Sequence, residues 1–419
     1  MILFSKKYIL AGSIGTLIEW AEFCFYGYMV VQFSHLFFPM LTANASIIAG
    51  FGTFAMSYIA RPLGSIIFGH IGDKLGRQKS FSASILLMSI ATLGIGLLPT
   101  YASIGILAPI LLISMRFLQG LAVAGEYPSA SVFIIENNPL APWFSSSWVA
   151  TASAAGMLLG GAAAAIVSLS SMPVWAWRVP FCLGFFACVL AFYIRRHLAE
   201  SPAYQQLLQS HKVEAIPIKT VLKYYQKPLL QTAAIGAFVG IFVYTCNVWW
   251  ITFVIEKGYF SEFQARTLAT ITMCCVTIAT PLMGMLAQKW QGRRLMILGL
   301  VGDIMVVPLL FLISATQSFW AMCLMGLFYG LCHAAFTAPM FKYFADIFPI
   351  QVRYSGQAFG WNIAVAIFGS SAPLLAQMLA RNDLVWVLVS YVVMFGLIAL
   401  GLNGKTRGSI IPSIQRLPS

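Results

Sequence analysis

Gly69-His70-Ile71-Gly72-Asp73-Lys74-Leu75-Gly76-Arg77-Gln78-Lys79 is the stretch on which the fold turns. It lies between two apolar runs, each long enough to cross a bilayer, and gathers three cations, one carboxylate and three glycines. Gly69 and Gly72 carry no side chain, so helices can approach closely there. Asp73 can cap a helix start or pair with an arginine. Lys74, Arg77 and Lys79 mark the loop as cytoplasmic, because basic residues stay on that side of the membrane.

Working outward, only 9% of the 419 residues are charged and 60% are apolar. A soluble domain carries about 25% charged residues, so this composition describes a polytopic membrane protein. The formal charge of +13 would suit nucleic acid, but the cations sit in short loops between apolar runs and serve as topology signals instead. The eight cysteines all fall within apolar runs without a Cys-x-x-Cys pair. They are expected as small apolar residues, with no metal and no cofactor. Lys6 and Lys7 precede a long apolar run with no small-residue cleavage site, which predicts an uncleaved first helix rather than a signal peptide.

Apolar runs near the length that spans hydrocarbon, about 20 residues, recur at 8–34, 46–70, 80–98, 104–135, 145–169, 176–196, 228–254, 266–288, 294–314, 318–345, 354–379 and 384–403. The expected fold is therefore an all-α membrane protein with twelve transmembrane helices. With the N-terminus inside, 18 of the 25 basic residues fall on the cytoplasmic side, among them Arg195, Arg196, Lys289, Lys405, Arg407 and Arg416. This bias predicts both termini inside. The longest hydrophilic stretch separates two six-helix bundles. The predicted organisation is an N-terminal bundle over 1–196, a central cytoplasmic loop over 197–227, a C-terminal bundle over 228–403 and a short cytoplasmic tail over 404–419. The bundles look related: Gly284-Met285-Leu286-Ala287-Gln288-Lys289-Trp290-Gln291-Gly292-Arg293-Arg294 echoes the opening stretch, with Gln288 in place of the aspartate and one residue inserted before Gly292.

Helix 1 holds Glu19 and Glu22 in an apolar span, Glu22 about 21 Å past the inner end. A carboxylate at that depth costs several kcal/mol unless it is paired, protonated or facing water. It is either a fixed ion pair or a titrating site. Tyr26 shares the face of Glu22. Helix 4 supplies Arg116 near mid-membrane, with Gln119 and Glu126 on nearly one stripe. Such a helix is expected to face a cavity rather than lipid.

The Gly-x-x-x-Asp-Lys-x-Gly-Arg pattern of the opening stretch resembles the loop signature of the major facilitator superfamily. Several further segments resemble the metabolite:proton symporters within it, which include proline/betaine, alpha-ketoglutarate, citrate and shikimate transporters. These segments are Glu19-Trp20-Ala21-Glu22-Phe23 with Tyr26-Gly27, Arg61-Pro62-Leu63-Gly64, Arg116 to Glu126, Trp177-Arg178-Val179-Pro180-Phe181, Glu200-Ser201-Pro202-Ala203-Tyr204, and Phe348-Pro349 with Arg353-Tyr354. Two departures are Glu22, where the family often has aspartate, and the short stretch after helix 12, where the osmosensing members carry a coiled coil.

By similarity to the related sugar porters, the resemblance implies that Glu22 facing Arg116 carries proton coupling, with Glu19 and Glu126 next in line. It also implies a cytoplasmic gate of Gly69, Asp73, Gly76, Arg77, Glu136, Glu200, Asp346 and Arg353. Tyr26, Arg61, Gln119, Tyr244, Asn247, Trp249, His333, Trp361 and Asn362 are the substrate-binding candidates, and Lys342 can snorkel to the inner face. Helix 5 lacks the proline of the drug-antiporter signature after Gly156-Met157-Leu158-Leu159-Gly160-Gly161, which favours uptake.

The expected function is proton-coupled symport of a small polar metabolite, an organic acid or zwitterion, across the bacterial cytoplasmic membrane. The expected partners are that substrate, protons and the bilayer, with no nucleic acid, and the expected state is a monomer. An exporter of a metabolite or siderophore is the alternative within transport. A non-transporting sensor would call for a large soluble domain or a long tail. An enzyme would call for a metal or nucleophile cluster, and neither His-x-x-x-His nor Gly-x-Ser-x-Gly occurs.

Overall fold

The structure is a computed structural model, and residues 6–404 of it are described. The tail residues 405–419, including Lys405, Arg407 and Arg416, lie outside the described residues, and so do residues 1–5. The long helices are α1 (Lys6–Tyr28), α2 (Ala43–His70), α3 (Arg77–Leu97), α4 (Leu107–Glu136), α5 (Pro142–Val167) and α6 (Arg178–Arg196). They continue with α7 (Gln226–Glu256), α8 (Glu262–Lys289), α9 (Gly292–Ser314), α10 (Phe319–Ile347), α11 (Arg353–Arg381) and α12 (Val385–Gly404).

Ten of these, α3 to α12, are long and apolar enough to cross a membrane. The two outside that set, α1 and α2, are the helices whose middles hold Glu19 and Glu22, or Arg61 and Pro62. Their polar residues lower the hydropathy that marks a span. Large apolar side chains such as Phe51, Ile59, Leu183, Phe186, Leu298, Leu324 and Leu374 are exposed on the outer faces. In water such a surface would drive aggregation, whereas hydrocarbon is its proper solvent.

The boundaries depart from expectation in three places. The first helix is not continuous over 8–34: it ends at Tyr28, and a separate short helix, Val30–Phe37, follows Met29. The stretch 197–227 is not a simple loop, since it holds helices Pro202–Gln209 and Pro217–Tyr224, each with proline at its start, where the missing N–H costs nothing. Ser201 caps the first by accepting from the Tyr204 N–H at 3.2 Å. Finally, α7 and α11 each contain a π-helical turn, Tyr244–Trp249 and Val365–Gly369. Such turns break the 3.6 period that sequence patterning relies on, and they tend to lie at functional sites.

Within the N-terminal part, α1 packs on α5, α2 on α4, and α3 on α4 and α6. Gly156 and Gly160 of α5 make the first of these possible, because a Cβ at Gly156 would lie 2.8 Å from that of Trp20 and one at Gly160 would lie 3.0 Å from that of Cys24. In the C-terminal part, α10 packs on α8 and α9, and α7 on α11 and α12. The seam between the parts is formed by α5 against α8 and α10, and by α11 against α2 and α4.

Candidate functional site

Two buried charge clusters occupy the N-terminal helices. In the first, Glu22 of α1 accepts from the Thr92 hydroxyl of α3 and, at 3.3 Å, from the Gln119 amide of α4. Gln119 in turn accepts from Arg116 Nη1 at 2.7 Å through its carbonyl oxygen. The guanidinium of Arg116 lies 4.2 Å over the Tyr26 ring, an attractive placement for a desolvated cation. Among the described residues no ion pair joins Arg116 to Glu22. The direct pairing implied by resemblance is replaced by a relay through Gln119. Both groups are left under-bonded: Glu22 Oε1, Arg116 Nε and Arg116 Nη2 are buried without hydrogen-bond partners, and so is the Tyr26 hydroxyl.

The second cluster centres on Glu126, which sequence grouped with the coupling residues. Arg195 of α6 grips it with two hydrogen bonds, 2.7 Å to Oε2 and 2.5 Å to Oε1. Ser84 adds a third at 2.9 Å. The same arginine donates to the carbonyls of Phe81 and Ala11 and lies 3.6 Å over the Phe81 ring. Arg195 counts in the sequence among the cations of the cytoplasmic side, and in the structure it is fully buried. Nothing in its sequence setting, an Arg-Arg pair closing an apolar helix, distinguishes it from Arg196. Glu19 is also buried and keeps Oε2 unpartnered. Arg61 stacks over Tyr58 at 4.5 Å and Phe23 at 5.3 Å.

A central cavity of about 70 Å³ lies between α1, α4 and α5 on one side and α7, α8, α10 and α11 on the other. Tyr244, Asn247, His333 and Trp361 line it. The other five candidates lie outside its wall. Trp249 donates to Gln377 at 2.7 Å, and Asn362 donates to the carbonyls of Ala124 and Ala358. Tyr26, Arg61 and Gln119 belong to the charge clusters behind it. Trp249 stands two positions past Asn247 and so lies on the other face of α7 from the stripe that Tyr244 and Asn247 share. Sequence reasoning missed Trp20, Tyr127 and Tyr329, which add aromatic faces to the wall. It also missed Asp303 of α9, which bonds His333 at 2.8 Å. A lone acid in an apolar run was the available signal for Asp303. The Tyr58 and Tyr244 hydroxyls share a hydrogen bond across the seam.

At the end of the molecule that carries the opening stretch, the two parts are locked together. Asp73 accepts from the backbone N–H groups of Tyr354 at 3.2 Å and Ser355 at 2.8 Å. These are orphan donors in the first turn of α11, so a carboxylate from one part caps a helix of the other. Arg77 pairs with Asp73 and donates to the Ile350 carbonyl at 2.6 Å. Arg353 reaches Glu136 at 3.0 Å, and the Tyr354 hydroxyl donates to the Gly125 carbonyl at 2.6 Å. Gly69 lies against Ser355. Gly76, at φ 127°, makes the turn into α3 with a conformation that a side chain would strain.

Two gate candidates sit elsewhere. Glu200 caps α3 within its own part, accepting from the Gln78 N–H at 3.2 Å; burial pushes its carboxyl above the usual range, while the N–H groups of Ser201 and Gln78 pull it back. Asp346 pairs with Lys342 one turn away on α10 rather than across the seam. Gln288 does cross it: its side-chain oxygen accepts from the Trp143 N–H of α5 at 3.1 Å. The repeat is thus intact in geometry, with a neutral amide capping α5 where a carboxylate caps α11.

The model of a family described as sugar (and other) transporters matches residues 8–402. The chain belongs to this family. It is 30% identical to the proline/betaine transporter of Escherichia coli K12, over 96% of this chain and 83% of that protein. It is 31% identical to the inner membrane metabolite transport protein YhjE of the same strain, over 96% and 94%. Its fold matches that of the major facilitator superfamily proton:xylose symporter XylE, solved bound to 6-bromo-6-deoxy-D-glucose, with a TM-score of 0.73, 17% identity and coverage of 95% and 94%. The chain is a small-metabolite transporter of the major facilitator superfamily, not an enzyme, and a multi-pass protein of the bacterial inner membrane.

Proposed function

We propose that this transporter is a proton-coupled symporter that imports a small zwitterion or organic acid by alternating access. In this proposal α1 and α2 complete twelve spans in two six-helix bundles, both termini are cytoplasmic, and the protein acts as a monomer. The observation that carries the coupling is the under-bonded Glu22–Gln119–Arg116 relay. A static buried ion pair satisfies both partners, because leaving either short costs about 1–3 kcal/mol. A carrier has to exchange partners during its cycle, and spare valences at both ends of a relay suit that exchange.

The cavity wall favours a zwitterion over a polyanion. Among the lining residues none is Lys, Arg, Asp or Glu, and stripping several charges of water without counter-charges is costly. The faces of Trp20, Tyr127, Tyr244, Tyr329 and Trp361 suit an ammonium group. Relatives named for proline and betaine, both zwitterions, agree with this.

Proteoliposomes given labelled proline, glycine betaine and a series of organic acids test the proposal. A proton gradient of one pH unit is worth about 1.4 kcal/mol, so one-proton coupling raises the internal zwitterion about tenfold. A protonophore should erase this, and entry indifferent to both gradient and protonophore would refute the coupling.

The orientation has its own test. Reporter fusions after residue 210 and at the C-terminus should both read cytoplasm, and a periplasmic signal at either would break the layout.

In that orientation the Asp73 lock closes the cytoplasmic side. Asp73→Asn should then shift the equilibrium toward the inward-facing state by about 1–3 kcal/mol, the usual scale of coupling between states. A cysteine placed in the cavity wall should become more reactive from the cytoplasmic side. Unchanged reactivity in a folded variant would leave Asp73 as a plain helix cap.

A further inference from the structure

The Asp303–His333 pair takes no part in the relay or the lock. Asp303 is fully buried on α9, and its Oδ1 has no hydrogen-bond partner. Its Oδ2 holds His333 Nδ1 at 2.8 Å. Phe242 of α7 stacks on the imidazole with centroids 5.3 Å apart and planes 21° apart, and Tyr329 flanks it at 5.6 Å. The ring is thus held in one orientation. With Nδ1 committed to Asp303, Nε2 is the nitrogen left to the cavity that His333 lines.

We infer that His333 is the group that recognises the substrate's carboxylate, that it takes up a proton together with that carboxylate, and that Asp303 is its positioning residue. The inference rests on the zwitterion proposal above. To donate through Nε2 while Nδ1–H donates to Asp303, the ring must carry both protons, so one proton enters from water at Nε2. The imidazolium then lies between two carboxylates, and the substrate's own ammonium, on the aromatic faces, restores neutrality. The other titratable groups around Asp303 and His333 are Cys246 of α7 and Tyr329 and Cys332 of α10. None of them is a cation, so none can replace the proton. Proton uptake and carboxylate binding are therefore thermodynamically linked.

The test is binding by the full-length protein in nanodiscs, with glycine betaine and proline as carboxylate probes and tetramethylammonium as the probe lacking one. Wild-type affinity for the carboxylate probes should fall as pH rises, while tetramethylammonium binding stays level. His333→Gln should weaken the carboxylate probes at least about tenfold, the loss of one charge-assisted hydrogen bond, and should flatten the pH dependence. Asp303→Asn should do the same with His333 still present. The wild-type pH profile needs no variant, so a misfolded mutant does not spoil the test. In ¹⁵N-histidine-labelled protein, the imidazole signal that disappears in His333→Gln should move to the doubly protonated form when glycine betaine is added.

Unchanged affinity and pH profile in a folded His333→Gln variant would overturn the inference while leaving symport intact. Failure to bind either carboxylate probe, with tetramethylammonium still bound, would also overturn it and leave proton coupling standing. Carboxylate binding that needs His333 but shows no pH dependence would overturn the proton uptake and leave the coupling at Glu22 standing.

Discussion

Glu22→Gln abolishes proton-driven accumulation and leaves counterflow exchange of substrate in place. This outcome is expected because the amide mimics the protonated carboxyl in shape and hydrogen bonding but cannot release a proton. Thr92 and Gln119 still have a side-chain oxygen to bond, so the variant should fold. Substrate can enter and leave through the loaded half of the cycle, which is what counterflow measures. The return of an empty, deprotonated carrier is blocked, so a gradient performs no work. Arg116→Ala should lose both activities, since it unseats Gln119 from the relay and strands Glu22 without a nearby cation. The measurement is gradient-driven uptake beside counterflow in the same proteoliposomes. Accumulation near wild type in Glu22→Gln would exclude it as the coupling residue. Glu19, with its own unpartnered oxygen, would then be the next carboxylate to test, ahead of the firmly held Glu126.

The all-helical membrane fold was legible in the sequence because it rests on local signals. Apolar length identifies spans, and the Gly69–Lys79 stretch carries its glycines, carboxylate and cations in one continuous segment. The partners of buried groups were not legible, because they are set by three-dimensional packing between helices distant in sequence. Arg195 reads as a topology cation, yet it meets Glu126 from 69 positions away. Arg116 and Glu22 have the right chemistry for a direct pair, and only the helix geometry reveals that Gln119 comes between them. Trp249, two positions past Asn247, falls on the other face of α7 and outside the cavity wall. Gln288 shows the opposite error. The substitution looks like decay of the repeat, but an amide oxygen suffices to cap α5, and the repeat's shape outlasts its charge.

Glu126→Gln should be the most destabilising single substitution among the buried carboxylates, at about 3–5 kcal/mol, the usual cost of removing one partner from a buried ion pair. Arg195 is fully buried and spends its donors on Glu126, Ala11 and Phe81. With the carboxylate gone, its charge loses the one group it pairs with directly and has no route to water. The pair also ties α1, α3, α4 and α6 together at one point, so loosening it releases four helices. Gly15 on α1 leaves the room this requires: a Cβ there would lie 2.9 Å from Arg195 Cζ, so Gly15→Ala should destabilise by pushing the pair apart without removing either charge. The double substitution Glu126→Leu with Arg195→Met removes both charges and roughly keeps the volume. It should recover most of the loss, because the attraction within a buried pair is largely cancelled by the cost of desolvating it. Thermal unfolding of the three variants in one detergent measures all of this. A double variant no more stable than Glu126→Gln would show that the hydrogen bonds from Arg195 to the Ala11 and Phe81 carbonyls, rather than its charge, hold these helices together.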